Sequence, residues 1–171
     1  SKTNPDIKFV SPVSGTITAI ERGPKRKIER ICIAASKTQK FVSHSVQGWE
    51  KMDREQLKAL LMESGNWPFI HQRPYGVIAN PDDTPKAIFV NTVKTNPLSE
   101  DLRFVLKDDQ KEFQLGIDLL NKLVDQPIFL GTDKAQMGYF QTVEGVQHYT
   151  VEGPHPAGNL SLHIQNITPL N

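Results

Sequence analysis

Ala87-Ile88-Phe89-Val90-Asn91 is a short apolar run of the kind found in buried parallel strands. A second such run, Pro127-Ile128-Phe129-Leu130, follows, and Val146 to Val151 reads as a third strand. Between the first two runs, Phe113, Ile117, Leu120 and Val124 recur at helical spacing. Strands that alternate with amphipathic helices predict a mostly parallel sheet flanked by helices. Outward from this centre, Asp53-Arg54-Glu55-Gln56 fits a capping box ahead of a Leu57, Leu60, Leu61 stripe, with Gly65 placed as the C′ residue. Ser99 is expected to cap a helix that opens with Glu100 and Asp101, and Asp108-Asp109 to cap the next. Leu160, Ile164 and Ile167 suggest a final helix.

The beginning of the chain has a different character. Thr16 to Ile20 and Ile28 to Ile33 are β-rich and are joined by Gly23-Pro24, which predicts a hairpin. One hairpin alone is marginal and needs a covering layer. The expected division is therefore a partial β region over residues 1–40 and an α/β, Rossmann-like domain over residues 41–171. The chain opens on Ser1 rather than methionine and closes on Thr168-Pro169-Leu170-Asn171. These ends read as boundaries within a longer protein.

Composition narrows the function. Twenty basic residues against 19 acidic give no basic field for nucleic acid. Lys25-Arg26-Lys27 reads as a solvated turn. A single cysteine, Cys32, rules out an internal disulfide and a cysteine-ligated cluster. Between Ile31 and Ile33 it is expected as a packed small apolar side chain. No apolar run reaches the ~20 residues a membrane helix requires. No pair of histidines or His–Glu at ligand spacing points to a metal, and no G-x-S-x-G, G-x-G-x-x-G or P-loop occurs.

Two segments have unusual chemistry. In Gly153-Pro154-His155-Pro156-Ala157-Gly158, prolines flank His155 and Gly158 permits close approach of the backbone. His155 is thereby held near a helix N-terminus, a place suited to an anion or a polar carbonyl. Alternatively, the loop only shapes a tight connection. In Trp67-Pro68-Phe69-Ile70-His71-Gln72-Arg73-Pro74-Tyr75, Trp67 and Phe69 are suited to form an apolar wall. Arg73 and Tyr75 can donate to the carbonyl oxygens of a flat ligand. The competing reading packs Trp67 and Phe69 between helix and sheet and pairs Arg73 with a carboxylate.

Taken in order, several pieces resemble the A-subunit family of the sodium-translocating NADH:quinone oxidoreductase. They are Phe9-Val10-Ser11-Pro12-Val13-Ser14-Gly15-Thr16, Arg22-Gly23-Pro24-Lys25-Arg26, Ser64-Gly65-Asn66-Trp67, Arg73-Pro74-Tyr75, Thr95-Asn96-Pro97-Leu98 and Gly153 through Gly158 with His163. The resemblance implies a middle fragment. Its hairpin would belong to a biotinyl/lipoyl-like barrel-sandwich domain. Its α/β part would resemble the flavoprotein-subunit domain of complex I. The resemblance further implies a peripheral subunit on the cytoplasmic face of the bacterial inner membrane, in contact with the membrane through partner subunits only. The complex uses NADH, flavins, an iron–sulfur cluster and a quinone, and exports sodium. The implied quinone-binding residues are Trp67, Phe69, Arg73 and Tyr75, with His155 and Gly158 in a loop near the ligand. This chain departs from the pattern in lacking a glycine-rich flavin loop and in placing Gln165 where a second histidine is frequent. Tyr75 stands where phenylalanine is usual, which adds a hydroxyl. No cofactor and no catalytic residue are therefore expected on the fragment. A non-catalytic docking scaffold and the C subunit of an Rnf-type complex are the alternatives.

Overall fold

The computed structural model describes residues 1, 4–135 and 137–169; the expectations that concern Leu170 and Asn171 lie outside them. The first elements are β1 (Gly15–Arg22) and β2 (Ile28–Ala35), paired antiparallel with register shifts between Ile17 and Ala19 and between Glu21 and Arg22. Every residue of β1 is exposed, and Ile17, Ile20, Ile28 and Ile31 each leave about half their surface in solvent. No layer among the described residues covers this hairpin. Cys32 is for that reason half-exposed rather than packed, with its Sγ 3.7 Å from Glu21 Oε1.

Helix α1 (Arg54–Glu63) starts and stops as its sequence dictates. Asp53 Oδ1 accepts from the Gln56 N–H at 2.8 Å, and Gln56 Oε1 accepts from the Asp53 N–H at 2.9 Å, which completes the capping box. At the other end Gly65 turns left-handed, at φ 76°. Its N–H donates to Met62 O and that of Asn66 to Leu61 O, the paired bonds of a Schellman stop. A small hairpin of β3 (His71–Gln72) and β4 (Val77–Ile78) follows, an element the sequence did not announce.

The centre is a parallel sheet of β5 (Ile88–Asn91), β6 (Ile128–Thr132) and β7 (Gln147–Thr150), with β6 in the middle. Three helices separate and follow these strands: α2 (Leu102–Val105) and α3 (Gln110–Leu123) before β6, and α4 (Met137–Phe140) before β7. Helix α5 (Leu160–Ile167) ends the described fold. Asp101, not Ser99, caps α2, through a 2.9 Å bond from the Arg103 N–H. The Ser99 hydroxyl instead donates to Asn96 O. Asp109 sits at the N-cap of α3 but its side chain makes no capping bond.

Successive strand residues face opposite ways, so the two sides of the sheet carry different partners. On one side Phe89 stacks on Phe129 at 4.9 Å and meets the edge of Tyr149. On the other, fully buried Leu130 packs with Ile117, Phe140 and Val143, joined by Val90 and Phe113. The Tyr139 hydroxyl donates to Leu106 O and ties α4 to the end of α2. A second core holds Ile7, Leu57, Trp67 and Leu123 together with Leu119, Leu120 and Val124. The expected α3 stripe is therefore divided: Phe113 and Ile117 serve the sheet, Leu120 and Val124 the α1 core. Ile7 reaches that core from ahead of the β1–β2 hairpin, and the Lys8 N–H donates to Met62 O.

Leu130→Ala should cost about 2–5 kcal/mol of unfolding free energy, and Asp53→Ala about 1 kcal/mol. Urea denaturation followed by circular dichroism reads both. Equal costs would contradict the placement of Leu130 at the centre of the sheet.

Candidate functional site

The two segments singled out by sequence lie in different environments. Trp67 is 4% exposed and belongs to the α1 core. Its indole N–H donates to Ala79 O at 2.8 Å, across the base of the β3–β4 hairpin. The Ala79 N–H donates to Ile70 O at 2.9 Å and the Gly76 N–H closes the tip onto Gln72 O. Ile70 and Ile78 pack on the same core. Phe69 and Tyr75 stand 80% and 79% exposed, and Arg73 is exposed beside them. Arg73 has no ion pair or hydrogen bond among the described residues, so the expected carboxylate partner is not there. The structure places Arg73 and Tyr75 on the exposed turn of the β3–β4 hairpin, leaves Phe69 exposed in the 3₁₀ turn ahead of it, and buries Trp67 at the base.

The second segment lies at the carboxyl ends of the strands, where ligands of open α/β sheets gather. Thr95 Oγ1 accepts from the Gly158 N–H at 3.0 Å and lies 3.3 Å from His155 Nδ1. The Asn91 side chain turns back twice, donating through Nδ2 to Gly158 O and accepting from the Val93 N–H. A side chain at 158 has no room, since a Cβ there would lie 2.8 Å from Thr95 Oγ1 and 3.0 Å from Val93 O. The close backbone approach expected at Gly158 is thus present, and the loop is stitched to the end of β5. His155 itself is exposed. Both loops hold a cis X–Pro bond, at Arg73–Pro74 and His155–Pro156.

His163, one of the residues that carry the resemblance, lies in α5. It is 4% exposed. Its Nε2 lies 2.6 Å from Ala157 O, and because a carbonyl only accepts, that nitrogen carries the proton. Nδ1 then meets the Tyr149 hydroxyl at 2.9 Å. Burial pushes the Tyr149 phenol up to about 12. The pair braces the Pro154–Gly158 loop from below. One hint was available in the sequence, namely His163 one turn into a helix that follows a Gly-Pro-His-Pro turn.

Charges at this edge are matched. Lys94 pairs with Glu100 at 3.0 Å and Lys134 with Glu152 at 2.7 Å. The Arg103 fork grips Asp101 and holds that carboxyl below the usual carboxylate range. Glu100 is also lowered, first by its own backbone N–H and then by Lys94. A concavity of about 540 Å³ opens at the other end of the sheet, beside Asn121, Asp125, Pro127 and Gln147. It touches none of the residues selected from sequence. No three His, Cys, Asp or Glu side chains among the described residues are grouped to hold a metal. No described helix is long and apolar enough to cross a membrane.

Two family models match. Residues 52–171 match the NqrA second alpha/beta domain and residues 1–36 the NqrA N-terminal barrel-sandwich hybrid domain. The chain belongs to the NqrA family. The Rnf alternative is left without support, since both matching domains are those of NqrA. Among NqrA relatives, the A subunit of the Na(+)-translocating NADH-quinone reductase of Alcanivorax borkumensis is 31% identical over 99% of this chain. That of Histophilus somni is 34% identical over the same share. The Vibrio vulnificus protein is also 31% identical. The chain spans about two fifths of the length of these relatives, 38% for Alcanivorax borkumensis and 39% for Histophilus somni.

Two measurements check the NqrA loop geometry. Gly158→Ala should cost about 1–3 kcal/mol by overpacking, read by urea denaturation. For Tyr149, the unfolded phenol ionises near 10 and the folded one near 12. The folded state therefore holds its proton longer. This stabilising contribution is complete below about pH 10 and is lost as pH rises toward 12. Tyr149→Phe should flatten the alkaline limb of the stability curve in that window.

Proposed function

We propose that this chain is part of the A subunit of a sodium-translocating NADH:quinone reductase and that its β3–β4 hairpin contributes to the quinone site. Family membership supports the first half. The observation that carries the second is the exposed β3–β4 turn, with Arg73 free of any carboxylate among the described residues, Tyr75 two residues on, and Phe69 exposed in the turn ahead. A guanidinium and a phenol can donate to quinone carbonyl oxygens while a phenyl face covers the ring. Trp67, buried at the base, acts through the hairpin's position and not by touching the ligand. The hairpin is open on its outer side, so the rest of the enclosure comes from other subunits. His155 and Gly158 fit a supporting loop at the carboxyl edge, and no catalytic residue is assigned to the chain.

The α/β part fits a Rossmann-like relative of the complex I flavoprotein domain, with a division from the β region near residue 40. Its first connection, Thr92 to Leu98, has no glycine to bring backbone N–H groups close to a phosphate. We accordingly assign NADH, flavins and the iron–sulfur cluster to partner subunits. The place of this chain is then peripheral, on the cytoplasmic face of the membrane. The uncovered β1–β2 hairpin favours an additional docking role.

Titration with a short-chain, water-soluble quinone, read by amide chemical shifts of residues 69–77, tests the site. Arg73→Ala should weaken binding about tenfold, the loss of one charge-assisted hydrogen bond. Saturable binding with unchanged affinity in that variant would remove the hairpin from the quinone site. Tryptophan quenching is the wrong readout, because Trp67 is shielded in the core.

A further inference from the structure

The same hairpin differs from the other exposed apolar surfaces in its charge. Next to α2, Leu98 is fully exposed and Phe104 and Val105 largely so, but Glu100, Asp101, Asp108 and Asp109 surround them in sequence. The isoleucines of β1 and β2 share their strands with Glu21 and Glu29. From Ser64 to Pro81 there is no acidic residue, while His71, Arg73, Tyr75 and Val77 are exposed on the hairpin and Phe69 is exposed in the turn ahead of it. The core side of the hairpin is fixed by Trp67, Ile70 and Ile78, so the backbone that carries these side chains is anchored.

From this composition and rigidity we infer that the β3–β4 hairpin is a membrane-surface contact, its tip entering the headgroup layer of an anionic phospholipid bilayer. The Tyr75 ring, apolar with one polar edge, favours the depth between water and hydrocarbon, and the Phe69 ring adds apolar area. A guanidinium at that depth bonds lipid phosphate and gains from the negative surface potential. No carboxylate on the segment must be desolvated or opposes that potential. One apolar tip with one firm cation gives weak, reversible attachment, which suits an accessory contact in a larger assembly. The contact requires no quinone and so goes beyond the proposed site. It departs from the expectation that partner subunits alone meet the membrane.

A second acid-free apolar stretch exists. Phe41 and Val42 are each 82% exposed, and Lys37 and Lys40 precede them. These residues lie in neither helix nor strand, and the backbone just ahead of them is tied to the β1–β2 hairpin by Lys40, which exchanges two hydrogen bonds with the Ser14 hydroxyl. The experiment separates the two.

The 171-residue chain is sedimented with quinone-free vesicles of phosphatidylcholine alone and of phosphatidylcholine and phosphatidylglycerol in equal parts. It should partition onto the anionic vesicles more strongly, and less so at high salt. Arg73→Ala should lower partitioning about fivefold, and Phe69→Ser with Tyr75→Ser should lower it further. All three residues are exposed, so unchanged thermal melts accompany these losses. Phe41→Ser with Val42→Ser should leave partitioning as it was. In Tyr75→Trp the added indole should be quenched by brominated lipid. No partitioning onto either vesicle, loss only in the Phe41 and Val42 variant, or an unquenched indole overturns the inference. Because the vesicles contain no quinone and the quinone titration contains no lipid, either result stands without the other.

Discussion

Helix α3 is the wall on which the rest of the fold depends. Its Phe113 and Ile117 close one side of the parallel sheet, and its Leu119, Leu120 and Leu123 close the core beneath α1. A parallel sheet must be covered on both faces, and a three-stranded one has little surface with which to recruit cover. Joining the sheet to a second core through one helix solves this. It also fixes the β3–β4 hairpin, because Trp67 is part of that second core. The orientation of Phe69, Arg73 and Tyr75 therefore traces back to helix packing that none of them touches.

What the sequence disclosed depended on the range of the interactions involved. The capping box at Asp53 and Gln56 and the stop at Gly65 are settled within a few residues, and both were legible. So were the apolar runs of β5 and β6, since a strand buried on both faces marks every position. The mistaken N-cap at Ser99 was also local, but two competing acceptors stood within two residues and only the backbone geometry chose Asp101. Cys32 was misjudged for a different reason. Its apolar neighbours promised cover that no layer among the described residues supplies.

The candidate residues show the same division. Aromatics near an arginine read as one cluster along the chain, yet Trp67 and Tyr75 end at opposite extremes of exposure. Within the short 3₁₀ turn Trp67–Phe69 one ring is buried and the other exposed, and no periodicity in the sequence reveals it. The contact of Thr95 with Gly158 and that of Tyr149 with His163 join residues 63 and 14 positions apart. Such pairs exist only once the sheet has aligned its strands. The close approach required by Gly158 could be read from sequence, but the identity of the group approaching it could not.

Ile7 carries a consequence for the order of events. It is 2% exposed and shares a core with Leu57, Trp67 and Leu123, so the start of the chain is sealed by a residue made much later. As the chain grows, Ile7 and the α1 stripe remain without their final cover until α3 has been synthesised. Contacts of such long sequence separation slow folding, since loop closure must precede the gain from packing. Until that closure the nascent protein presents an unfinished apolar surface, and the vulnerability of that surface to aggregation is concentrated in time before the helix that completes the α1 core has emerged.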